Sequence, residues 1–130
     1  MRLLIDCDVL LDVALAREPF YTDSARLLDW AERHPGSTAI AWHTIANIFY
    51  MTGSKSRQFI KDLLIFCEVP ATDTASMQFA LACDMKDFED AMQVAAAECF
   101  NAQLIVTRNI KDYRNSPIKA LDPQGVMQLL

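Results

Sequence analysis

The sequence predicts an α/β fold in which helices cover both faces of a parallel sheet. Short apolar runs alternate along the chain with stretches of helical periodicity, a pattern typical of parallel sheets built from strand–helix–strand units. The first run, residues 2–6 (RLLID), is apolar on both faces, as expected of a central buried strand. A chain of 130 residues can bury its own core, so we predict a single three-layer α/β/α sandwich over residues 1–130.

The first half of the chain is predicted to contain two strands and three helices. Their order is strand 2–6, helix 9–17, helix 18–34, strand 37–42 and helix 43–52. Pro19 stands near the start of the second helix, where proline is favoured, and Pro35-Gly36 ends that helix.

The second half continues the alternation with three strands, two of them weak. The predicted order is helix 54–68, strand 69–72, helix 73–83, helix 86–100, strand 103–109, strand 118–122 and closing helical turns over 123–130. The helix at 54–68 is amphipathic, and Asp73 is expected to cap the next helix. The helix at 86–100 is rich in alanine, which allows a helix to lie close to a sheet.

Composition argues against a membrane protein and against a passive nucleic-acid-binding protein. Hydrophobic residues make up 52% of the chain, but no apolar run approaches a membrane-spanning length of roughly 20 residues. The chain has 12 basic and 17 acidic residues, a net charge of −5. Phosphate contacts from basic residues normally supply most non-specific affinity for nucleic acid. This balance leaves room for an enzyme whose negative charge is concentrated around metal ions.

The cysteines predict buried thiols in a reducing, cytoplasmic environment. Cys7, Cys67, Cys83 and Cys99 lie among apolar residues and form no CxxC pair. Together with the two histidines they match none of the spacings of a zinc site.

Polar side chains follow the first and the fourth predicted strands. Asp6 ends the first strand, and Thr107 and Asn109 follow the fourth, with Asp112 shortly after. Ligands of such sheets bind beyond the carboxyl ends of the strands. If these two strands are neighbours, their polar residues share one cleft.

The helix before the fourth strand adds two further acids. Asp90 lies in the first turn, in line with the apolar residues Val94 and Ala97, so its carboxylate is expected to face the cleft. Asp87 is expected on the same helical face, although an ordinary acid at a helix N-terminus explains it equally well.

Several carboxylates in one cleft call for a cation. A pair of charges about 4 Å apart costs roughly 4 kcal/mol at an effective dielectric constant of 20. Oxygen ligands without histidine or cysteine favour Mg²⁺ or Mn²⁺ over zinc. Such an ion can activate water and stabilise a phosphoryl transition state.

A phosphatase of the haloacid dehalogenase type is an alternative interpretation of the first strand and its acids. There Asp6 would attack phosphorus and Asp8 would act as acid and base. That mechanism also needs a later lysine and an acidic pair on another strand, but only 23 residues follow Thr107. Val9 also stands where that family usually has glycine. The metal-site interpretation is therefore favoured.

Three segments carry a resemblance to a known family. LLIDCDVLLDVALAREPF (residues 3–20) is similar to an opening DTNVLLD…REPF, and DFEDAMQVAAA (residues 87–97) is similar to a later acidic helix. IVTRNIKDY (residues 105–113) is similar to a closing TRNxxDF. In this order and spacing they resemble the PIN-domain ribonucleases, which include the VapC-type toxins of bacterial toxin–antitoxin pairs.

The resemblance implies a fold, an activity and a site. It implies a five-stranded parallel sheet in the order 3-2-1-4-5 and a metal-dependent endoribonuclease that hydrolyses RNA with a metal-activated water. Asp6 corresponds to the first metal-binding acid and Asp90 to the main acid of the later helix, while the closing motif supplies Thr107, Asn109 and Asp112. It also implies that such proteins often have a small antitoxin partner.

One position departs from the family pattern. The helix after the second strand usually carries the second acid, but this sequence has Asn47 there, in HTIANIFY. An asparagine oxygen can hold a cation or a water but brings no charge. A PIN-like domain that binds RNA or protein without cleaving therefore stays open as an alternative.

Two further expectations concern contacts with other molecules. Arg17, Arg108 and Lys111 flank the acids and, with Thr107, could hold substrate phosphates, although solvated surface charge explains the three basic residues equally well. Apolar residues around Phe49 and Phe66 exceed one helix face and could form a homodimer or antitoxin interface, but we expect core packing, including Trp42 and Tyr50.

Overall fold

The computed structural model describes all residues, 1–130, as one five-stranded parallel sheet with helices on both faces. The strands are β1 (Leu3–Ile5), β2 (Thr38–Ala39), β3 (Cys67–Glu68), β4 (Leu104–Val106) and β5 (Ala120–Leu121). Their order is β3-β2-β1-β4-β5, and every neighbouring pair is parallel. The predicted fold class and strand order are confirmed.

Seven α-helices and two short 3₁₀ helices connect the strands. They are α1 (Cys7–Ala14), α2 (Tyr21–Arg33), α3 (Trp42–Thr52), α4 (Ser56–Leu63), α5 (Thr74–Ala82), α6 (Phe88–Phe100) and α7 (Pro123–Met127), with 3₁₀ helices at Gly53–Lys55 and Ile110–Tyr113. None of these helices is long and apolar enough to cross a membrane.

The central strand β1 divides the core into two layers. Leu3 and Ile5 belong to one buried cluster, together with apolar side chains of α1 to α4 and of α7. Leu4 points to the other face and belongs to a second cluster with Val94 and Phe100 of α6. This alternation follows from the two-residue period of a strand. Buried alanines of α6 allow that helix to lie close to the sheet, so its first turn reaches the carboxyl end of β1.

The third strand lies two residues earlier than predicted. Helix α4 ends at Leu63 instead of continuing to residue 68, and Cys67 pairs with Thr38 of β2. The predicted strand 69–72 contains Pro70, which cannot donate a backbone hydrogen bond to a ladder. The buried side chain in this stretch is that of Cys67, which lies within the helix predicted at 54–68.

Other predicted elements are shorter in the structure. The strand predicted at 103–109 is limited to Leu104–Val106 because Thr107 begins a polar loop. The helix predicted at 18–34 begins at Tyr21, after a turn closed by the Tyr21 amide donating to the Arg17 carbonyl. Asp73 caps α5 as predicted, in a capping box with Ser76.

Two predictions about burial are wrong. Trp42 and Tyr50 are 75% and 83% exposed, because only the stripe of α3 that contains Thr44 and Ile48 faces the core. All four cysteines are free, but Cys99 lies on the exposed face of α6. In both helices apolar or small residues occur all round, so sequence periodicity does not identify the buried face.

A buried carboxylate on α1 links three parts of the fold. Asp12 is fully buried, and its Oδ1 accepts from Nε of Arg17 at 3.0 Å. Its Oδ2 accepts from Nε of Arg108 at 2.7 Å and from the Ser24 hydroxyl at 3.3 Å. Arg108 belongs to the loop after β4 and Ser24 to α2, so Asp12 fixes both against α1.

We expect the Asp12→Asn substitution to lower the free energy of unfolding by about 2–3 kcal/mol. The amide has nearly the same shape but leaves two arginines without their counter-charge, and breaking a buried ion pair is costly. Urea denaturation measures the change. Asp29→Asn, an exposed acid of α2, is the control, and an Asp12→Asn midpoint as close to wild type as this control would contradict the role of Asp12.

Candidate active site

Asp6 forms the centre of the polar cluster at the carboxyl end of β1. It is 7% exposed and caps the N-terminus of α1. Its Oδ1 accepts from the Cys7 amide at 2.7 Å and from Nε2 of Gln93 at 3.1 Å. Its Oδ2 accepts from the hydroxyls of Thr107 at 2.9 Å and Tyr113 at 3.0 Å. Four donors from four parts of the chain therefore converge on one carboxylate.

Asp6 and Asp90 lie on either side of one hydroxyl group. Besides its bond to Asp6, the Tyr113 hydroxyl donates to Oδ1 of Asp90 at 3.3 Å. Asp90 is half-buried in the first turn of α6, where the alanine-rich helix meets the sheet edge. The two acids, far apart in the sequence, are thus brought together.

Asp8 is held by the loop that follows β4. Its Oδ2 accepts from the Arg108 amide at 2.9 Å and from Nδ2 of Asn109 at 3.4 Å. The Thr107 hydroxyl lies 3.4 Å from the same oxygen. The side chains of Thr107 and Asn109 therefore both help to position Asp8.

Asp87 and Asp112 lie on the outer side of Asp90. Asp87 is the N-cap of α6, and its Oδ1 accepts from the amides of Glu89 and Asp90. Asp112 is exposed on the 3₁₀ helix Ile110–Tyr113. Together with Asp90, both line a cavity of about 200 Å³. The remaining lining residues are Asp84, Met85, Lys86, Lys111, Arg114 and Asn115.

The donor chemistry of this edge fits a hard cation, but the acids do not form a closed ligand set. Asp6 and Asp90 present carboxylate oxygens, the ligands that Mg²⁺ and Mn²⁺ prefer. No three histidine, cysteine, aspartate or glutamate side chains are close enough together to hold a metal ion. Two carboxylates and the hydroxyl between them are what the structure brings together.

The site opposes the accumulation of negative charge. Burial is the main reason that the pKa of Asp6 is raised. Burial and then the charge of Asp6 raise the pKa of Asp8 to about 6. For Asp90, burial and then the charges of Asp87 and Asp6 raise the pKa to about 7. Perturbed carboxyl groups clustered in a cleft are typical of functional sites.

The predicted phosphate-binding residues differ in their surroundings. Arg108 pairs with Asp12, and its guanidinium lies 3.8 Å from the centre of the Phe20 ring. Arg17 also pairs with Asp12 and donates to the Asp8 carbonyl. Lys111 is exposed and lines the cavity beside Asp90. The two arginines are thus engaged within the fold, whereas Lys111 is available to a ligand.

Sequence reasoning missed Tyr113 and Gln93, both of which bond to Asp6. Gln93 is 2% exposed and also donates to the Thr44 hydroxyl at 2.6 Å. It lies three residues after Asp90, on the same stripe of α6, and this spacing could have identified it. The signal for Tyr113 was weaker, because an aromatic residue after a polar loop usually indicates packing.

The environment of Asn47 was also missed. Its Nδ2 lies 3.4 Å from Oε1 of Glu89, an exposed acid in the first turn of α6. His43 lies on the same side of α3. Burial lowers its pKa, and the charges of Glu89 and Asp6 offset only part of this shift. The two buried side-chain polar atoms without a partner are Nε2 of His43 and Oε1 of Gln93.

Comparison with known protein families identifies the fold. A family model described as PIN domain matches residues 2–111. The chain belongs to the PIN domain family. No curated protein matches this PIN domain in sequence.

Solved structures of toxin–antitoxin proteins have the same fold as this PIN domain. A toxin–antitoxin complex from Klebsiella pneumoniae superposes with a TM-score of 0.71 at 20% identity, covering 92% of this chain and 96% of that chain. VapBC2 from Rickettsia felis, bound to a DNA fragment from its promoter, superposes with a TM-score of 0.68 at 14% identity, covering 94% of this chain and 98% of that chain. VapBC-1 from nontypeable Haemophilus influenzae superposes with a TM-score of 0.67 at 12% identity, covering 95% of this chain and 99% of that chain.

We expect the metal-free protein to be destabilised by the ionisation of Asp90 as pH rises. The folded pKa of about 7 lies above the unfolded value of about 4, so the native state binds more protons between them. The free energy of unfolding therefore falls as pH rises through this window. Asp90→Asn removes this contribution, so it should gain stability relative to wild type as the pH rises from about 4 to about 7.

Urea denaturation in the presence of a chelator measures this difference. Asp29→Asn, the exposed acid of α2, should keep the same pH dependence as wild type. If the free energies of unfolding of wild type and Asp90→Asn differ by the same amount at every pH in this window, Asp90 ionises in the folded state as it does in the unfolded chain.

Proposed function

We propose that this PIN domain is an endoribonuclease that depends on Mg²⁺ or Mn²⁺ and acts as the toxin of a toxin–antitoxin pair. The observation that supports this most strongly is the meeting of Asp6 and Asp90 at the carboxyl end of β1, around the single hydroxyl of Tyr113. Membership of the PIN domain family, whose members are generally nucleases, supports the hydrolase class.

In this proposal Asp6 and Asp90 hold the cation, and Asn109 and Asp112 complete its surroundings. The cation would lower the pKa of a bound water and stabilise charge on the phosphate during cleavage. Burial is the main cause of the raised pKa values of both carboxylates, and a bound dication would favour their ionised forms.

The surrounding residues orient the two acids. Gln93 and Thr107 fix the two oxygens of Asp6. Asp87 holds the first turn of α6 through its two capping bonds and so fixes the position of Asp90. In this proposal Asp87 is a positioning residue, and the Asp90 carboxylate faces the cavity in which substrate phosphate would lie.

Glu89 offers a reason why Asn47 does not abolish activity. The carboxylate of Glu89 lies beside the Asn47 amide, so a negative charge is present close to the position where the family pattern has its second acid. A PIN domain that binds RNA or protein without cleaving is the second candidate function. Asn47 and the absence of a closed group of three acids favour it.

RNA is the proposed substrate, held by the basic residues around the cavity. Lys86, Lys111 and Arg114 line the same cavity as Asp90, so phosphates of a single strand could be neutralised beside the acids. These contacts would position the strand without reading its sequence.

An antitoxin is the proposed protein partner. The structural neighbours are toxin–antitoxin complexes, and one of them is bound to promoter DNA. Exposed and partly exposed apolar side chains of α3 and α4 line one surface cavity that a partner could fill: Trp42, Ile45, Ala46, Phe49, Tyr50 and Ile60. The alternative partner, a second copy of the chain in a homodimer, also stays a prediction. Four free cysteines suit the reducing cytoplasm that we propose for this pair.

We expect the purified protein to cleave a generic single-stranded RNA only when Mg²⁺ or Mn²⁺ is added. The double variant Asp6→Asn, Asp90→Asn should lose roughly a hundredfold or more of this activity, because it removes both charged ligands of the proposed ion. Gel electrophoresis of labelled RNA measures the rate.

The variant Asp29→Asn, Asp62→Asn removes two exposed acids and serves as the matched control. Equal cleavage by wild type and the Asp6/Asp90 double variant would contradict the nuclease proposal. RNA binding without cleavage by wild type, with the metal present, would favour the second candidate function.

We expect Lys111→Ala to weaken RNA binding and to reduce the slope of log K against log salt concentration by about one. Each phosphate contact that is lost releases about one counterion fewer on binding. Fluorescence anisotropy over a salt series measures both quantities. Lys61 is an exposed lysine of α4, and Lys61→Ala should leave the slope unchanged. A wild-type slope for Lys111→Ala as well would show that Lys111 is ordinary surface charge.

A further inference from the structure

The Tyr113 hydroxyl lies between the two acids of the proposed metal site. It is 3.0 Å from Oδ2 of Asp6 and 3.3 Å from Oδ1 of Asp90. One hydroxyl has one proton, so both carboxylates share the same donor. The chain has tyrosine here, in IKDY, where the motif that it resembles ends in phenylalanine.

The ring of Tyr113 is fixed in the core, so the position of its hydroxyl is well determined. The side chain is 3% exposed and packs in the cluster that contains Leu4, Val94 and Ile118. The Tyr113 carbonyl accepts from the Ser116 amide at 3.0 Å, which closes the turn after the 3₁₀ helix. Moving the hydroxyl away from the acids therefore requires a displacement of a packed ring.

The hydrogen bonds of Asp6 are complete in this arrangement. A carboxylate offers about four acceptor positions, and Asp6 uses them for Cys7, Gln93, Thr107 and Tyr113. A cation that binds Asp6 must take the place of one donor. Of these four donors, Tyr113 is the one that also bonds to Asp90, so its place is the one from which both acids can be reached.

Building on the proposed function, we propose that the Tyr113 hydroxyl occupies the place of the divalent cation in the metal-free protein and competes with it. The hydroxyl bridges Asp6 and Asp90 and offers them a shared proton. Binding of the cation requires these two bonds to break. Tyr113 thereby sets the metal concentration at which the site fills, and it does so without contacting the RNA.

Removing the hydroxyl while keeping the ring should tighten metal binding. Tyr113→Phe retains the packed ring but leaves the two carboxylates without their shared donor. Loss of a hydrogen bond to a charged group corresponds to roughly a tenfold to hundredfold change in an equilibrium constant. We expect the dissociation constant for Mn²⁺ to fall by this factor.

Electron paramagnetic resonance of free Mn²⁺, titrated into chelator-treated protein without RNA, measures the dissociation constant independently of activity. Tyr50→Phe removes a hydroxyl from an exposed ring and should bind Mn²⁺ like wild type. Asp6→Asn should weaken binding in both the wild-type and the Tyr113→Phe backgrounds. Thermal unfolding of each metal-free variant shows that it is folded.

The outcomes separate this inference from the proposed function. Equal or weaker Mn²⁺ binding by Tyr113→Phe, with binding by wild type intact, overturns the competition and leaves the nuclease proposal standing. Absence of Mn²⁺ binding by both proteins overturns both proposals. If Tyr113→Phe does not fold, the structure of wild type with Mn²⁺ decides: a hydroxyl that still bonds both acids overturns the inference, and one displaced from them supports it.

Discussion

The buried carboxylate of Asp6 is the interaction on which the site depends. Its four hydrogen-bond donors come from the start of α1, the middle of α6, the end of β4 and the last residue of a 3₁₀ helix. Any shift of one of these elements against the sheet would leave a buried negative charge incompletely satisfied, which is costly. The polar edge of the sheet therefore has one arrangement that satisfies Asp6, and the cleft is the consequence of that arrangement.

The fold could be predicted well because short sequence patterns identify the strands, and the pairing of those strands then determines which distant residues meet. An apolar strand followed by acids, and a second followed by TRN, can be recognised from a few residues each. Parallel pairing then places both ends at one edge, and the resemblance implied the order that the structure has. The predictions were wrong where packing decides. Cys67 pairs with Thr38 of β2 and so belongs to β3, not to the preceding helix. The helix α3 was predicted, but its buried face was not, and Trp42 and Tyr50 are exposed.

The site was predictable only as far as charge and spacing describe it. Asp6 and Asp90 could be placed in one cleft from topology and from the apolar stripe of α6. The partner of each acid could not, because Tyr113 and Gln93 resemble core residues until their polar atoms are located in space. Arg108 shows a contact that charge and spacing do not reveal: the fully buried Asp12 on α1 binds its guanidinium.

The uneven exposure of the four thiols has a practical consequence. Burial raises the pKa of Cys7 to about 12 and that of Cys67 to about 11, and it raises the pKa of Cys83 as well. Cys7 and Cys67 therefore stay protonated and slow to react near neutral pH, and Cys83 is less exposed than Cys99. A maleimide dye or spin label therefore attaches preferentially at Cys99 in the unaltered chain. Cys99 is the last residue but one of α6, and Asp90 lies in the first turn of the same helix. A label on Cys99 can therefore follow motions of α6 without engineered cysteines.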